Sequence, residues 1–484
     1  MIRKTCLLHA LDSIFMPDFK AIFKWDNLLI ALLSVLAILT WLTGFYITGI
    51  KIPLFYLLHK SNFVFYGLAG GVFVLALLTT ILAGFLVRKT ASGQSLSIPV
   101  PLKIFLMLIL LLLISVLVAL LYTGNRNFEK GEPNLDRLSG LYHNKAEWEV
   151  RAEIIRNGIL TGAGLSPLPR KTSLNPVIHS EITYSGYSVA NVYFESVPGF
   201  YVTGNLYRPV PYNHGTLKSV VLLPHGHFKG GRFNPDNQHL AASLAKMGAL
   251  VMTYDMVGYG DSQLKNHKIG HALTFQLYNS IRVVDFLLSL EDADKSSVAV
   301  TGASGGGTQT FLLSAVDRRV TVSAPVVMVS AYIYGGCICE SGLPIHRGEL
   351  YRTNNAEIAA LSAPHPQLLV SDGMDWTYAT TFYEFPFIQR IYRFYDQQAM
   401  VENVHFEGEG HDYGPSKRQA VYGFFGKHLH LNSSAWKTSE GLIDESSDQI
   451  EAIETMRAFN TEHPLPSNTL KTEKEILAKI KSLQ

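Results

Sequence analysis

Three long apolar stretches dominate the first quarter of the chain. Residues 27–50 carry no charged side chain between Asp26 and Lys51, residues 61–87 none between Lys60 and Arg88, and residues 104–125 none between Lys103 and Arg126. A bilayer core about 30 Å thick needs about 20 apolar residues in a helix, and each stretch suffices. Three in succession argue against buried helices of a soluble core. The first also starts too late and runs too long for a cleaved signal peptide. The pattern predicts a membrane region over 27–125 with three transmembrane helices and a lipid bilayer around them. Ahead of it, Leu7, Leu8, Leu11, Ile14 and Phe15 fall at helical spacing, and Phe19, Ile22 and Phe23 continue beyond Pro17. Residues 1–26 therefore read as an amphipathic leader, either interfacial or solvent-facing.

Past Thr123 the pattern changes. "GNRNFEKGEPNLDRLSG" is polar and turn-rich, and residues 144–160 look helical, with Trp148, Ile154, Ile155 and Ile159 set among charges. "LSPLPRKTSLNPVIHS" is an extended, proline-punctuated segment, so 126–181 reads as a linker and helical lead-in. From about residue 182 the period becomes two: "YSVANVYFES" and "FYVTGNLYRPV" flank a Pro-Gly and predict a hairpin. Apolar strands at 219–223, 250–254, 298–301, 320–327, 367–371 and 404–407 then alternate with helical patterns at 236–247, 273–290, 306–316 and 416–428. That alternation predicts an α/β domain over 182–431, a mostly parallel sheet flanked by helices. Residues 432–484 form a polar tail with a helix expected at 471–482.

Composition changes this picture in two ways. Of 484 residues only 17% are charged, and the formal net charge is +2, against about 25% charged residues in ordinary soluble domains. With no basic block, a nucleic-acid partner is excluded. Cys337 and Cys339 flank one residue, too close for an ordinary disulfide, so the three cysteines define no framework. Lysine and arginine near the apolar stretches favour a cytoplasmic N-terminus: Arg3, Lys4, Lys20 and Lys24 in the leader, Lys51 and Lys60 in the first connection, Arg88, Lys89 and Lys103 in the second. Three crossings would make an integral, multi-pass protein and put the rest of the chain on the extracytoplasmic side. Nothing in the sequence fixes the oligomeric state.

The chemistry begins at "VAVTGASGGGTQTF". Ser304 sits between a predicted strand and a predicted helix, with Gly302 and Gly306 on either side, the G-x-S-x-G pattern of a nucleophile elbow. A phosphate loop would need a lysine that is missing, and the dinucleotide G-x-G-x-x-G does not fit. A serine nucleophile needs a base, and the base an orienting acid, in the order Ser, Asp/Glu, His. Downstream, "LLVSDGMDWT" offers Asp372 and Asp375, and "GEGHDYG" offers His411, each just past a strand end. Asp375, deeper in its loop, is the favoured acid. Asp372, before Gly373, suits a turn cap, and Glu340 in "CICESG" is a third candidate. For the oxyanion, the backbone N–H of Gly305 follows the nucleophile, and that of His227 in "LLPHGHFKGG" lies after an earlier strand. The His225-x-His227 pair finds no third ligand at metal spacing, so no metal and no organic cofactor is expected. Asp255 and Asp261 in "YDMVGYGDS" precede the serine and suit loop stabilisation.

With "LLPHGHFKGGRF", "YDMVGYGDS", "VTGASGGGTQTF", "GGCICES", "LLVSDGMDWT" and "GEGHDYG" in hand, residues 135–430 resemble the α/β-hydrolase superfamily, in its acetyl xylan esterase and cephalosporin deacetylase-like branch. The resemblance implies Ser304 as nucleophile, Asp375 as acid, His411 as base, and Gly305 and His227 as oxyanion donors. It implies a serine hydrolase acting on a small-molecule or carbohydrate ester, acetyl esters among them; the membrane anchor comes from the apolar stretches, which lie outside the resemblance. A peptidase using the same triad, and a non-catalytic membrane receptor on a hydrolase scaffold, are the alternatives.

Overall fold

The sheet is organised by which face each apolar residue serves. In the computed structural model, which describes residues 131–333, 337, 339, 340, 345 and 352–484, nine strands form one mixed sheet. They are β1 (Val177–Tyr184), β2 (Tyr187–Val197), β3 (Phe200–Pro209), β4 (Lys218–Pro224), β5 (Leu250–Tyr254), β6 (Ala293–Ala303), β7 (Val322–Val326), β8 (Gln367–Asp372) and β9 (Val401–Phe406). Their spatial order is β1-β2-β3-β5-β4-β6-β7-β8-β9. β1, β2 and β3 pair antiparallel, and β3 joins β5 antiparallel; from β5 to β9 every neighbour is parallel. The predicted hairpin is β2–β3, and the mostly parallel layout fits the α/β-hydrolase fold that the motifs imply.

Parallel strands covered by helices on both faces need apolar side chains on both. Alternate residues of β4 accordingly divide: Val221 and Leu223 join the cluster of Leu240, Leu244, Val421 and Phe425, while Val220 and Leu222 join that of Ile281, Val284 and Leu313. The first cluster comes from α3 (Pro235–Lys246) and α8 (Pro415–His428), the second from α4 (Ala272–Leu288) and α5 (Gly305–Val316). Two more helices lie between them in sequence, α6 (Asn355–Ala359) and α7 (Glu384–Arg393). Each fully buried aliphatic side chain contributes roughly 1.5–3 kcal/mol, so this sorting is a large share of what holds the sheet.

The flanking segments are part of the same body. α1 (Gly131–Ser139) and α2 (Lys145–Gly162) bury Leu135, Leu138, Trp148, Ile155 and Ile159 in one cluster with Ile476 and Ile480 of α9 (Glu473–Leu483). Farther up the tail, the carbonyl of Thr455 accepts from Asn191 of β2 at 2.9 Å, and that of Met456 accepts from Asn205 of β3 at 3.0 Å. The segment after residue 431 thus covers the antiparallel hairpin.

The expected N-terminal membrane region requires correction. Crossing a bilayer takes about 20 apolar residues, whereas α2, at 18 residues the longest helix among those described, places Glu149, Arg151 and Glu153 along its length. No helix among the described residues is long and apolar enough to cross a membrane. The leader at 1–26 and the three spans expected at 27–50, 61–87 and 104–125 fall outside the described residues, and the extracytoplasmic placement depends on those same residues.

Candidate active site

The chain runs from β4 to β5 on one side and, two strands later, to β6 on the other. That reversal marks the C-terminal ends of β4 and β6 as the place where open α/β sheets form their ligand crevice. Ser304 lies there, between β6 and α5, with φ +58° and ψ −123°. A non-glycine residue in this region costs about 1–3 kcal/mol, and the neighbours enforce it. The Ser304 N–H donates to the Val326 carbonyl at 3.0 Å. A Cβ on either Gly302 or Gly306 would stand 2.2 Å from the carbonyl oxygen of Pro224 at the end of β4. The two glycines therefore let the elbow press against the neighbouring strand, which is why the glycine run interrupts an otherwise apolar pattern.

His411 follows β9, and its Nδ1 lies 2.6 Å from Oδ2 of Asp375, which follows β8. The other carboxylate oxygen of Asp375 accepts from the backbone N–H of Thr377 at 2.5 Å and from its hydroxyl at 2.6 Å. Both oxygens are thus committed, and the carboxylate cannot turn away from the ring. Trp376 packs on His411 with ring centroids 4.2 Å apart, and Phe228, from the loop after β4, stands at 5.7 Å. Those two aromatics did not stand out in the sequence. Trp376 is a signal only once the Asp375–His411 pair is seen.

The contact to the His411 ring is made by Asp375, with Asp372 beside that acid and Glu340 on the β4 side. Asp372 caps its own turn, accepting from the Met374 N–H at 3.2 Å, and sits 3.5 Å from the Lys417 ammonium. Burial, reinforced by the charge of Asp375, pushes its carboxyl well above the usual range. Glu340 accepts the Cys337 N–H at 2.9 Å and approaches His227 Nδ1 at 3.9 Å.

On the β4 side, the two histidines of His225-Gly226-His227 part company. His225 is enclosed: its Nδ1 faces the Gly226 carbonyl at 2.7 Å, and its Nε2 accepts the Met256 N–H at 3.0 Å. Burial lowers its pKa to about 3, consistent with a neutral ring whose tautomer is fixed by those two partners. His227 lies against Gly305, the residue after Ser304, since a Cβ there would come within 2.7 Å of its ring. The same ring meets His267, Cys337 and Cys339, whose ligand atoms all lie within 4.8 Å of one another. It is the one group of metal-ligating residues of this kind among the described residues. Spacing along the chain hid it, because the third and fourth donors come from two other loops. Asp255 and Asp261 hold loops together: Arg232 contacts them at 3.0 and 2.5 Å, and Asp255 also accepts from the Thr203 hydroxyl at 2.8 Å.

Set beside solved structures, the chain is 39% identical to the methylesterase BT1017, over 73% of this chain and 80% of that one, with a TM-score of 0.66. An acetyl xylan esterase from a Paenibacillus species matches at 19% identity over 57% of this chain and 93% of its own, TM-score 0.40. A glucuronoyl esterase from Teredinibacter turnerae matches at 14% identity over 59% and 86%, TM-score 0.44. No protein-family model and no curated protein matches the chain.

Proposed function

This chain belongs to the family of the methylesterase BT1017, and from that premise we propose that it is a carboxylic ester hydrolase working through an acyl-enzyme on Ser304. The observation that carries the reading is the 2.6 Å contact between His411 and Asp375 at the sheet edge where the strained serine elbow ends. A neutral imidazole facing a carboxylate carries its hydrogen on Nδ1, which leaves the lone pair of Nε2 for the serine hydroxyl.

Ser304 Oγ attacks the ester carbonyl carbon while His411 Nε2 takes the hydroxyl proton. The negative oxygen of the tetrahedral intermediate is held by the N–H of Gly305 and that of His227. The C–O bond to the alcohol then breaks, and His411 returns its proton to the departing oxygen. Water, deprotonated by the same histidine, attacks the acyl-enzyme, releasing the acid and restoring Ser304. Asp375 keeps His411 in the useful tautomer and stabilises it while charged.

The substrate is a small-molecule or carbohydrate ester, and the relative's activity favours a methyl ester over the acetyl esters that the motifs imply. Incubation with methyl-esterified and with acetylated carbohydrates decides: methanol release supports the reading, and acetate release redirects it. Labelling by a fluorophosphonate probe tests the nucleophile. We expect labelling of the wild type and none of Ser304→Ala; labelling that survives the substitution would reject the acyl-enzyme on this residue.

A further inference from the structure

Acyl transfer leaves one chemical feature of the crevice unused. His227 Nε2 lies 2.9 Å from His267 Nε2 and 3.2 Å from the sulfur of Cys339, and His267 Nε2 lies 3.1 Å from that same sulfur. With Cys337, four donor atoms from three separate chain segments converge: the loop after β4, the loop after β5 and the segment after β7. Imidazole nitrogens and cysteine sulfurs are metal ligands once the thiols have lost their protons.

The groups behind the cluster are arranged as metal sites arrange them. His267 Nδ1 is 2.6 Å from the Val257 carbonyl oxygen. A carbonyl only accepts, so Nδ1 carries a hydrogen, and in the neutral ring Nε2 then turns its lone pair to the cluster. Behind His227, Glu340 stands 3.9 Å from Nδ1, and it also accepts the Cys337 N–H. The outer carbonyl thus aims the His267 imidazole inward, and the Glu340 carboxylate lies on the outer side of His227.

We propose that His227, His267, Cys337 and Cys339 bind one Zn2+ in a closed four-coordinate site. Two imidazoles and two thiolates, with no oxygen donor, suit zinc and do not suit calcium or magnesium. Zinc bonds of about 2.0–2.1 Å to nitrogen and 2.3 Å to sulfur put tetrahedral neighbours roughly 3.3–3.8 Å apart. The close pairs would open by a few tenths of an ångström around the ion. With every position taken by protein, the ion has no place for water or ester and serves as a staple. It ties three loops at the crevice and fixes the residue whose N–H faces the oxyanion. That last consequence rests on the acyl-enzyme reading; the metal site does not.

The test is metal analysis of the full chain purified without chelator and loaded with Zn2+. We expect about one zinc per chain, retained in Ser304→Ala and lost in the double variant Cys337→Ser/Cys339→Ser. Exchange with Co2+ should give the intense visible bands of tetrahedral coordination together with thiolate-to-cobalt charge transfer. This spectrum in the wild type decides the matter even if the double variant fails to fold, and His267→Gln should weaken it. Zinc binding in protein that the fluorophosphonate does not label would keep the metal site and remove the hydrolase reading. Absence of zinc after loading, a Cys337–Cys339 disulfide seen as a mass two hydrogens lower, or full zinc content in the double variant would overturn the proposal.

Discussion

His225 and His411 stand on loops at the same edge of one sheet, and their surroundings are opposites. Backbone groups occupy both ring nitrogens of His225, and burial holds it neutral. His411 has one nitrogen committed to a carboxylate and a ring braced by aromatics, with its side chain still 11% exposed. The first histidine joins the loop after β4 to the loop after β5; the second, paired with Asp375, is the one proposed to move a proton. Residue type and position past a strand end are shared, so what separates scaffold from chemistry is the partner of each nitrogen.

The largest effect should come from exchanging the two roles. His411→Gln should lower kcat on the order of 10⁶-fold with folding intact, because nucleophile and base act as one unit. His225→Leu should instead leave the Met256 N–H unpaired and cost about 1–3 kcal/mol of stability. Activity per folded molecule should then remain within about tenfold. Steady-state kinetics beside urea unfolding checks both, and a catalytic collapse in His225→Leu would break the distinction.

A smaller contrast separates the aspartates. Asp375→Asn should lower kcat on the order of 10⁴-fold by disturbing the tautomer of His411, whereas Asp372→Asn should stay within about tenfold of wild type. Equal losses would mean that the two carboxylates act as one group.

The smallest effect is a pH slope. The folded pKa of His225, about 3, lies below the ordinary 6.5, so the unfolded chain takes up the proton first. The stability conferred by the neutral ring is complete above pH 6.5 and is lost as pH falls from there toward 3. Urea midpoints measured from pH 7 down to 4 should fall less steeply in His225→Leu than in the wild type; parallel slopes would show that the ring is not held neutral.

Much of the domain could be read from the chain because parallel strands between helices are short apolar runs closed by glycine, proline or aspartate. β1 escaped because it is a half-exposed edge strand with an irregular register between His179 and Ile182, so neither an apolar run nor clean alternation marks it. α7 carries Pro386 in its first turn, where a missing N–H costs nothing, although proline within a pattern reads as a break. At the site, Ser304 announces itself through flanking glycines, and Asp375 and His411 through chain order. The convergence on His227 leaves no such trace, since His267 and the two cysteines reach it only through the folded arrangement of three loops.

The hydrogen bonds from Asn191 and Asn205 to the carbonyls of Thr455 and Met456 have a consequence for biosynthesis. Those carbonyls leave the ribosome after every strand of the sheet, so the β2–β3 hairpin must wait with its outer surface wet until translation is well past residue 458. A message cut short near residue 431 would release a polypeptide that still holds Ser304, Asp375 and His411, yet is prone to sticking to its own kind.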